Sequence, residues 1–325
     1  MQTVSCKAWG PPESLVVEDV ASPRAEPGEV VVSVKACGVN FPDTLIIQGK
    51  YQFKPPFPFA PGGEVSGLIK EVSAGVTHVK PGDAVIAFTG WGGFAEEVKC
   101  DARQLIPLPP GTPFPLAAGF VMTYGTSYHA LKDRAAIQPG ETLLVLGAAG
   151  GVGLAACEIG AAMGARVIAA ASSDDKLAVC RQHGATETIN YTNEDLREAM
   201  NRITGKRGVD VVYDPVGGAY SEPAFRSLAW KGRHLVVGFA NGEIPQLPMN
   251  LALLKGASLV GVFFGAFVKA EPQSAEKNLR ELMGMLAAGK LKPLISKTYP
   301  LHRAADALND VMQRRAVGKI VLLTS

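Results

Sequence analysis

Apolar and polar positions along the chain follow two rhythms. From Val4 to about Pro110, short β-branched runs recur between turn signals. Val30-Val31-Val32-Ser33-Val34 and Ala84-Val85-Ile86-Ala87-Phe88 are such runs. Pro27-Gly28, Pro61-Gly62-Gly63, Pro81-Gly82 and Gly90-Trp91-Gly92-Gly93 bound them. This spacing predicts a small, irregular β-barrel. From Leu143 the rhythm becomes strand, helix, strand, helix. Strands are expected at 142–146, 166–171, 209–213, 233–237 and 258–263, with helices at 174–183 and 193–204. Such alternation implies an α/β fold whose parallel sheet is covered on both faces. A helix near 275–288, a strand at 294–298, a helix at 304–313 and a last strand at 319–323 follow.

Length and charge narrow the function classes. A chain of 325 residues is expected to form two domains and to bury a core without disulfides or metals. Its 32 Lys+Arg against 30 Asp+Glu leave a net charge of +2, which speaks against nucleic acid as a partner. The five cysteines (Cys6, Cys37, Cys100, Cys157, Cys180) include no Cys-x-x-Cys spacing. A reducing, cytoplasmic setting suits them better than a disulfide scaffold or zinc ribbon. Met1 to Gly10 shows no apolar signal core, and the longest apolar stretch, 257–268, is too short for a bilayer. No membrane partner is expected.

The strongest local signal is Leu143-Leu144-Val145-Leu146-Gly147-Ala148-Ala149-Gly150-Gly151-Val152-Gly153, followed by small apolar residues to Gly164. An apolar strand runs into glycines and then into a helix. Glycines let the backbone turn tightly and approach a pyrophosphate, and the new helix turns its N–H groups and dipole toward the anion. The alternative is a glycine-rich βα turn without a ligand.

The next strand bears on which dinucleotide binds. An NAD site places Asp or Glu at that strand's tip, to hold the ribose diol. Here Arg166-Val167-Ile168-Ala169-Ala170-Ala171 ends in alanine and Ser172-Ser173-Asp174-Asp175-Lys176 follows. A 2′-phosphate meets no carboxylate at the tip, while Ser172, Ser173 and Lys176 offer hydrogen bonds and a cation. NADP(H) is therefore the expected cofactor. The competing assignment makes Ser173 a helix cap and Lys176 a solvated residue. Five scattered histidines form no His-Glu-x-x-His motif, and Gly-x-Ser-x-Gly is missing, so neither a zincin nor a hydrolase elbow is expected.

With these motifs in place, the chain resembles the medium-chain dehydrogenase/reductase superfamily. The likeness rests on Gly147–Gly153, Thr123-Tyr124-Gly125-Thr126-Ser127-Tyr128-His129-Ala130-Leu131 and Ala36-Cys37-Gly38-Val39-Asn40-Phe41-Pro42-Asp43. Val211-Val212-Tyr213-Asp214-Pro215-Val216-Gly217-Gly218 and Gly318-Lys319-Ile320-Val321 extend it. More narrowly, the chain resembles the zinc-free NADPH:quinone oxidoreductase, zeta-crystallin-like branch. Zinc-dependent relatives carry Cys where Asn40 stands and Gly-His-Glu where Gly62-Gly63-Glu64 stands, and the structural zinc lobe is missing because Cys100 is alone. No metal is expected.

The resemblance implies a GroES-like catalytic domain at 1–122, a Rossmann doubly wound parallel sheet at 123–264 and a return to the catalytic domain over 265–325. It implies NADPH as cofactor, with Gly147, Gly150, Gly151 and Val152 at the pyrophosphate and Ser172, Ser173 and Lys176 at the 2′-phosphate. Tyr191 would lie by the adenosine phosphate, and Phe239, Phe264 and Arg314 would line the nicotinamide pocket. Asn40 and Thr126 would flank nicotinamide and substrate; Tyr51 is retained, whereas Leu45 replaces a tyrosine of some members. A homodimer through the edge strand 258–263 is implied as well. The expected reaction is hydride transfer from NADPH to a quinone or similar conjugated acceptor. Two rivals follow from the same likeness: an enoyl-thioester or enal reductase with Tyr51 as proton donor, and a non-catalytic, crystallin-like NADPH-binding protein.

Overall fold

The protein is described from a computed structural model covering residues 1–324. It divides into two compact units, one of Met1–Met122 joined by the chain from Pro293 onward, the other Thr123–Lys292.

In the first unit a seven-stranded sheet orders Ile295–Pro300, Lys319–Leu323, Glu29–Val39, Glu64–Val72, Ala84–Phe88 and Leu105–Pro107, with Glu97–Asp101 also on Glu29–Val39. Glu29–Val39 is the organising strand. Its valines Val30, Val31, Val32 and Val34 are buried, and register shifts at Val31/Val32 and Val34/Ala36 let it serve several neighbours. Its far end pairs Val39 with Ile320, and Cys37 pairs with Val65 on the other side. Asn40, Glu64 and Lys319 therefore reach the same end of one sheet, although they are far apart in sequence.

In the second unit six parallel strands run in the order Glu187–Asn190, Arg166–Ala171, Thr142–Leu146, Val209–Asp214, Leu228–Val236, Ser258–Gly261. Every residue of Thr142–Leu146 is buried, which is why that run is apolar without alternation. The strand Glu187–Asn190 is absent from the sequence expectation, because it has four residues of which only Ile189 is fully buried. The last strand ends at Gly261 rather than at 263, since the helix Phe264–Ala270 begins directly after Phe263.

The expected return to the first unit at 265 is corrected to Pro293. Helices Phe264–Ala270 and Pro272–Ala287 stay with the second unit because their side chains bind there. Phe267 stacks on His129 with centroids 3.8 Å apart, the Tyr128 hydroxyl donates to Glu281 at 2.7 Å, and Asn278 donates to Asp133 at 2.6 Å. Among the described residues no helix is long and apolar enough to cross a membrane.

Candidate functional site

The glycine turn follows the strand Thr142–Leu146. Gly147 takes φ +56°, and a Cβ there would stand 2.7 Å from Val216 Cγ2. At Gly153 a Cβ would stand 2.4 Å from the Gly147 carbonyl oxygen, so the helix can begin this close to the turn only without a side chain. Gly150 is the N-cap of Gly151–Ala162 and no side chain caps that helix. Its first-turn N–H groups are left for an anion or solvent.

Ala148 N–H donates to Ala170 O at 3.0 Å, which ties the turn to the strand Arg166–Ala171. At that strand's tip, Lys176 Nζ donates to Ser172 Oγ at 3.3 Å while Ser173 Oγ accepts from Lys176 N at 3.4 Å. Ser173 is thus the helix cap, and Ser172 and Lys176 form a hydroxyl–ammonium group beside it. Tyr191 N–H donates to Ala171 O at 3.2 Å, and its ring packs on Tyr220 at 4.5 Å. Ser172, Ser173, Lys176 and Tyr191 therefore gather at one strand end.

A third group adjoins the turn. Ser127 Oγ donates to Val152 O at 2.8 Å and lies 2.9 Å from the Tyr213 hydroxyl; Thr126, next to it in the chain, is buried. Gly125 leaves room for Phe264, whose ring carbon would be 2.6 Å from a Cβ there. Phe239 lies on Gly217, where a Cβ would be 2.9 Å from its ring. Ser127 and Tyr213 were missed by sequence reasoning. The signal available was the Tyr213 hydroxyl after the apolar pair Val211-Val212 in the strand Val209–Asp214.

In the first unit, Asn40, Asp43, Glu64 and Lys319 are all buried and linked by hydrogen bonds and charge. Asn40 Nδ2 donates to Gly38 O at 3.3 Å and to Glu64 Oε2 at 3.4 Å, and Oδ1 accepts from Lys319 Nζ. That ammonium also donates to Val39 O at 3.0 Å and stands 3.7 Å from Glu64 Oε2. Asp43 accepts from Asn40 N–H at 2.7 Å and Gly62 N–H at 3.2 Å; Glu64 accepts from Met122 N–H at 2.9 Å. Burial pushes the Asp43 carboxyl up to about 6, raises Glu64 and lowers Lys319. Burial, then the nearby Asp43 charge, raises the Tyr51 hydroxyl. Asp43, Glu64 and Lys319 were not among the expected site residues.

Tyr51 is half-buried, its ring 5.0 Å from Phe53 and edge-on to it. Arg314 is exposed on a left-handed turn, φ +56°, after the helix Ala304–Met312. It belongs to the first unit, whereas every other candidate cofactor residue lies in the second.

These residues do not fit a zinc ion. Asn40 offers an amide oxygen that already holds the Lys319 ammonium. At Gly63 a Cβ would lie 2.8 Å from the Gly90 carbonyl oxygen, so backbone fills the space a ligating side chain would need. Among the described residues no group of three or more His, Cys, Asp or Glu is placed to hold a metal.

Comparison with known proteins places this geometry in context. Residues 26–110 match the alcohol dehydrogenase GroES-like domain, and residues 151–283 match the zinc-binding dehydrogenase family. The quinone oxidoreductase-like protein 2 of Bos taurus is 41% identical over 95% of this chain and 88% of its own length. The crystal structure of Escherichia coli quinone oxidoreductase complexed with NADPH superposes with a TM-score of 0.92 at 29% identity, covering 99% of this chain and 100% of that one. For the quinone oxidoreductase from Thermus thermophilus, a protein also crystallised with NADPH, the TM-score is 0.86 at 34% identity, with 99% and 100% covered.

Proposed function

Because the chain belongs to the quinone oxidoreductase branch of the medium-chain dehydrogenase/reductase superfamily, we propose that it reduces a quinone or similar conjugated acceptor with NADPH and without a catalytic metal. One observation carries the reading. An uncapped, glycine-built helix start at Gly150 stands one strand away from the Ser172–Lys176 pair, at a tip that ends in Ala171 rather than a carboxylate.

When bound, NADPH supplies a hydride from its nicotinamide ring. The backbone at Gly147, Gly150, Gly151 and Val152 holds the pyrophosphate, which no side chain crowds. Ser172 and Lys176 hold the 2′-phosphate through charge-assisted hydrogen bonds, with Ser173 fixing the helix that presents Lys176. Tyr191 borders the adenosine end, and Thr126, Phe239 and Phe264 orient the nicotinamide. Asn40 is a positioning residue, since its amide hydrogens are engaged by Gly38 and Glu64. Tyr51, kept protonated by burial and by Asp43, donates its O–H to the oxygen on which charge develops.

Two further features belong to the reading. Ser258–Gly261 is the outer strand of its sheet, and Leu259 on it is 56% exposed, which supports a homodimer built by pairing that edge with its twin. The five free, buried thiols suit a reducing compartment such as the cytoplasm, which cell fractionation tests.

The deciding experiment is an acceptor screen that follows NADPH absorbance with chelator-treated protein. Turnover of quinones at undiminished rate is expected. Activity that dies with chelation and returns with zinc would overturn the metal-free reading, and tight NADPH binding without oxidation across the panel would select a non-catalytic role.

A further inference from the structure

Asp214 ends the strand Val209–Asp214, which lies beside Thr142–Leu146 and so next to the phosphate turn. Its carboxylate is 3% exposed and uses both oxygens on neighbours. Oδ1 accepts from the N–H groups of Val216 and Gly217, both at 2.9 Å. Oδ2 accepts from Ser221 Oγ at 2.5 Å and from His234 Nε2 at 3.1 Å. Burial opposes ionisation, yet the His234, Gly217 and Ser221 donors hold the carboxyl below its ordinary value. Among the described residues no Lys or Arg pairs with this buried anion.

The direction of these bonds excludes a nucleophilic triad. Ser221 and His234 both donate to the carboxylate, so the imidazole is not placed to take the serine hydrogen. An ionised carboxylate only accepts, which puts the ring hydrogen on Nε2. Nδ1 is buried and has no partner among the described residues. A ring that leaves one nitrogen unused in a buried strand owes its place to the bond made by the other.

What the carboxylate holds is a loop. The Asp214 carbonyl oxygen accepts from Val237 and Gly238 N–H at 2.9 and 3.3 Å. Ala240 N–H donates to Pro215 O at 3.0 Å, Asn241 N–H to Val216 O at 2.8 Å and Gly218 N–H to Glu243 O at 3.1 Å. Segments 215–218 and 237–243 are thus laced together, with Val216 against Gly147 and Gly217 against Phe239. They stand at the carboxyl ends of the strands, where open parallel sheets receive ligands.

We infer that Asp214, with Ser221 and His234 as its donors, is a positioning residue that fixes Val216 and Phe239 for the nicotinamide end of the cofactor. The inference rests on the NADPH-reductase reading and assigns within it the group that locks the loop. Ser172 and Lys176 follow Arg166–Ala171, two strands from Val209–Asp214. Loosening the loop should therefore reach the nicotinamide end and spare the adenosine end.

The test measures binding of NADPH and of adenosine 2′,5′-bisphosphate, which carries the 2′-phosphate but no nicotinamide, to full-length wild type, His234→Leu and His234→Gln. In His234→Leu the Kd for NADPH should rise roughly tenfold, the scale of one hydrogen bond lost from a charged group, while that for the bisphosphate stays within about twofold. His234→Gln, whose amide can donate to the same oxygen, should return NADPH binding to within about threefold of wild type. Should His234→Leu not fold, Ser221→Ala and Ser221→Thr take the places of the leucine and glutamine variants. Equal losses for both ligands, an unchanged Kd for NADPH, or glutamine no better than leucine would overturn the inference. A wild type that binds NADPH but reduces no quinone removes the reductase reading alone, whereas one that binds neither ligand removes both.

Discussion

Lys319 Nζ donates to Asn40 Oδ1, and this bond decides which way the amide faces. With its oxygen turned to the ammonium, Asn40 directs its hydrogens to Gly38 O and Glu64 Oε2. The polar group is therefore closed on itself: one ammonium, two buried carboxyls and an amide, with Glu64 also holding Met122 N–H.

Removing the ammonium should be severe. Lys319→Met leaves Glu64 and Asp43 buried without a cation, and a loss of about 3–5 kcal/mol of stability is expected. Adding Glu64→Gln to Lys319→Met should recover part of that loss, because no unpaired charge then remains at Glu64. Urea unfolding of the two variants checks this, and a single-variant loss below ~1 kcal/mol would contradict it.

The pH dependence of stability has a stated sign at Asp43. Its carboxyl titrates at about 6 in the folded protein against an ordinary 3.8, so the folded chain binds the extra proton in that window. The stabilising contribution is fully present below the ordinary value and is lost as pH rises through the folded one. In melting curves between those two pH values, wild type should lose Tm relative to Asp43→Asn. Parallel curves for the two proteins would refute the assignment.

Cofactor preference should reside partly in Lys176. Lys176→Ala removes a charge-assisted contact of about 1.5–3 kcal/mol, so the preference for NADPH over NADH should drop roughly 10- to 100-fold. The kcat/KM ratio for the two nucleotides measures it. If the ratio stays constant, Lys176 only extends its helix.

Tyr51 separates the quinone reading from its nearest rival. Reduced quinone oxygens can take protons from water, whereas an enoyl thioester needs a proton delivered to carbon. Tyr51→Phe should therefore lower naphthoquinone turnover by about tenfold or less, the scale of one lost hydrogen bond. Turnover of crotonyl-CoA by wild type, abolished in Tyr51→Phe while quinone reduction survives, would make the enoyl reductase the better reading.

The outer strand offers a test of assembly. Leu259→Asp puts a carboxylate on the exposed edge of Ser258–Gly261. Sedimentation should show a dimer for wild type and a monomer for the variant; a monomeric wild type would dispose of the dimer.

The phosphate turn was legible in the sequence because its geometry is local. A buried strand, the glycines at Gly147, Gly150 and Gly153, and a helix of small residues are contiguous, and each constraint acts between near neighbours. The same holds for Ala171, Ser172, Ser173 and Lys176, where alanine at the strand tip and the capping serine can be read in order. The short strand Glu187–Asn190 and the boundary at Pro293 could not be read that way. One is stabilised mainly by its partner in the sheet, the other by side chains such as Phe267 and Asn278 that bind a helix far back in the chain.

What the residues alone determined is thus the alternation of strands and helices, the anion-binding turn and the lack of a carboxylate beside it. What only the tertiary structure decided is the state of the polar side chains. Asn40 could be taken as a donor to substrate, but its amide hydrogens go to Gly38 O and Glu64 Oε2, an orientation fixed by Lys319, 279 residues away, on its oxygen. Burial of a charge and the direction of an amide depend on partners that register between distant strands brings together, and no local pattern encodes that pairing.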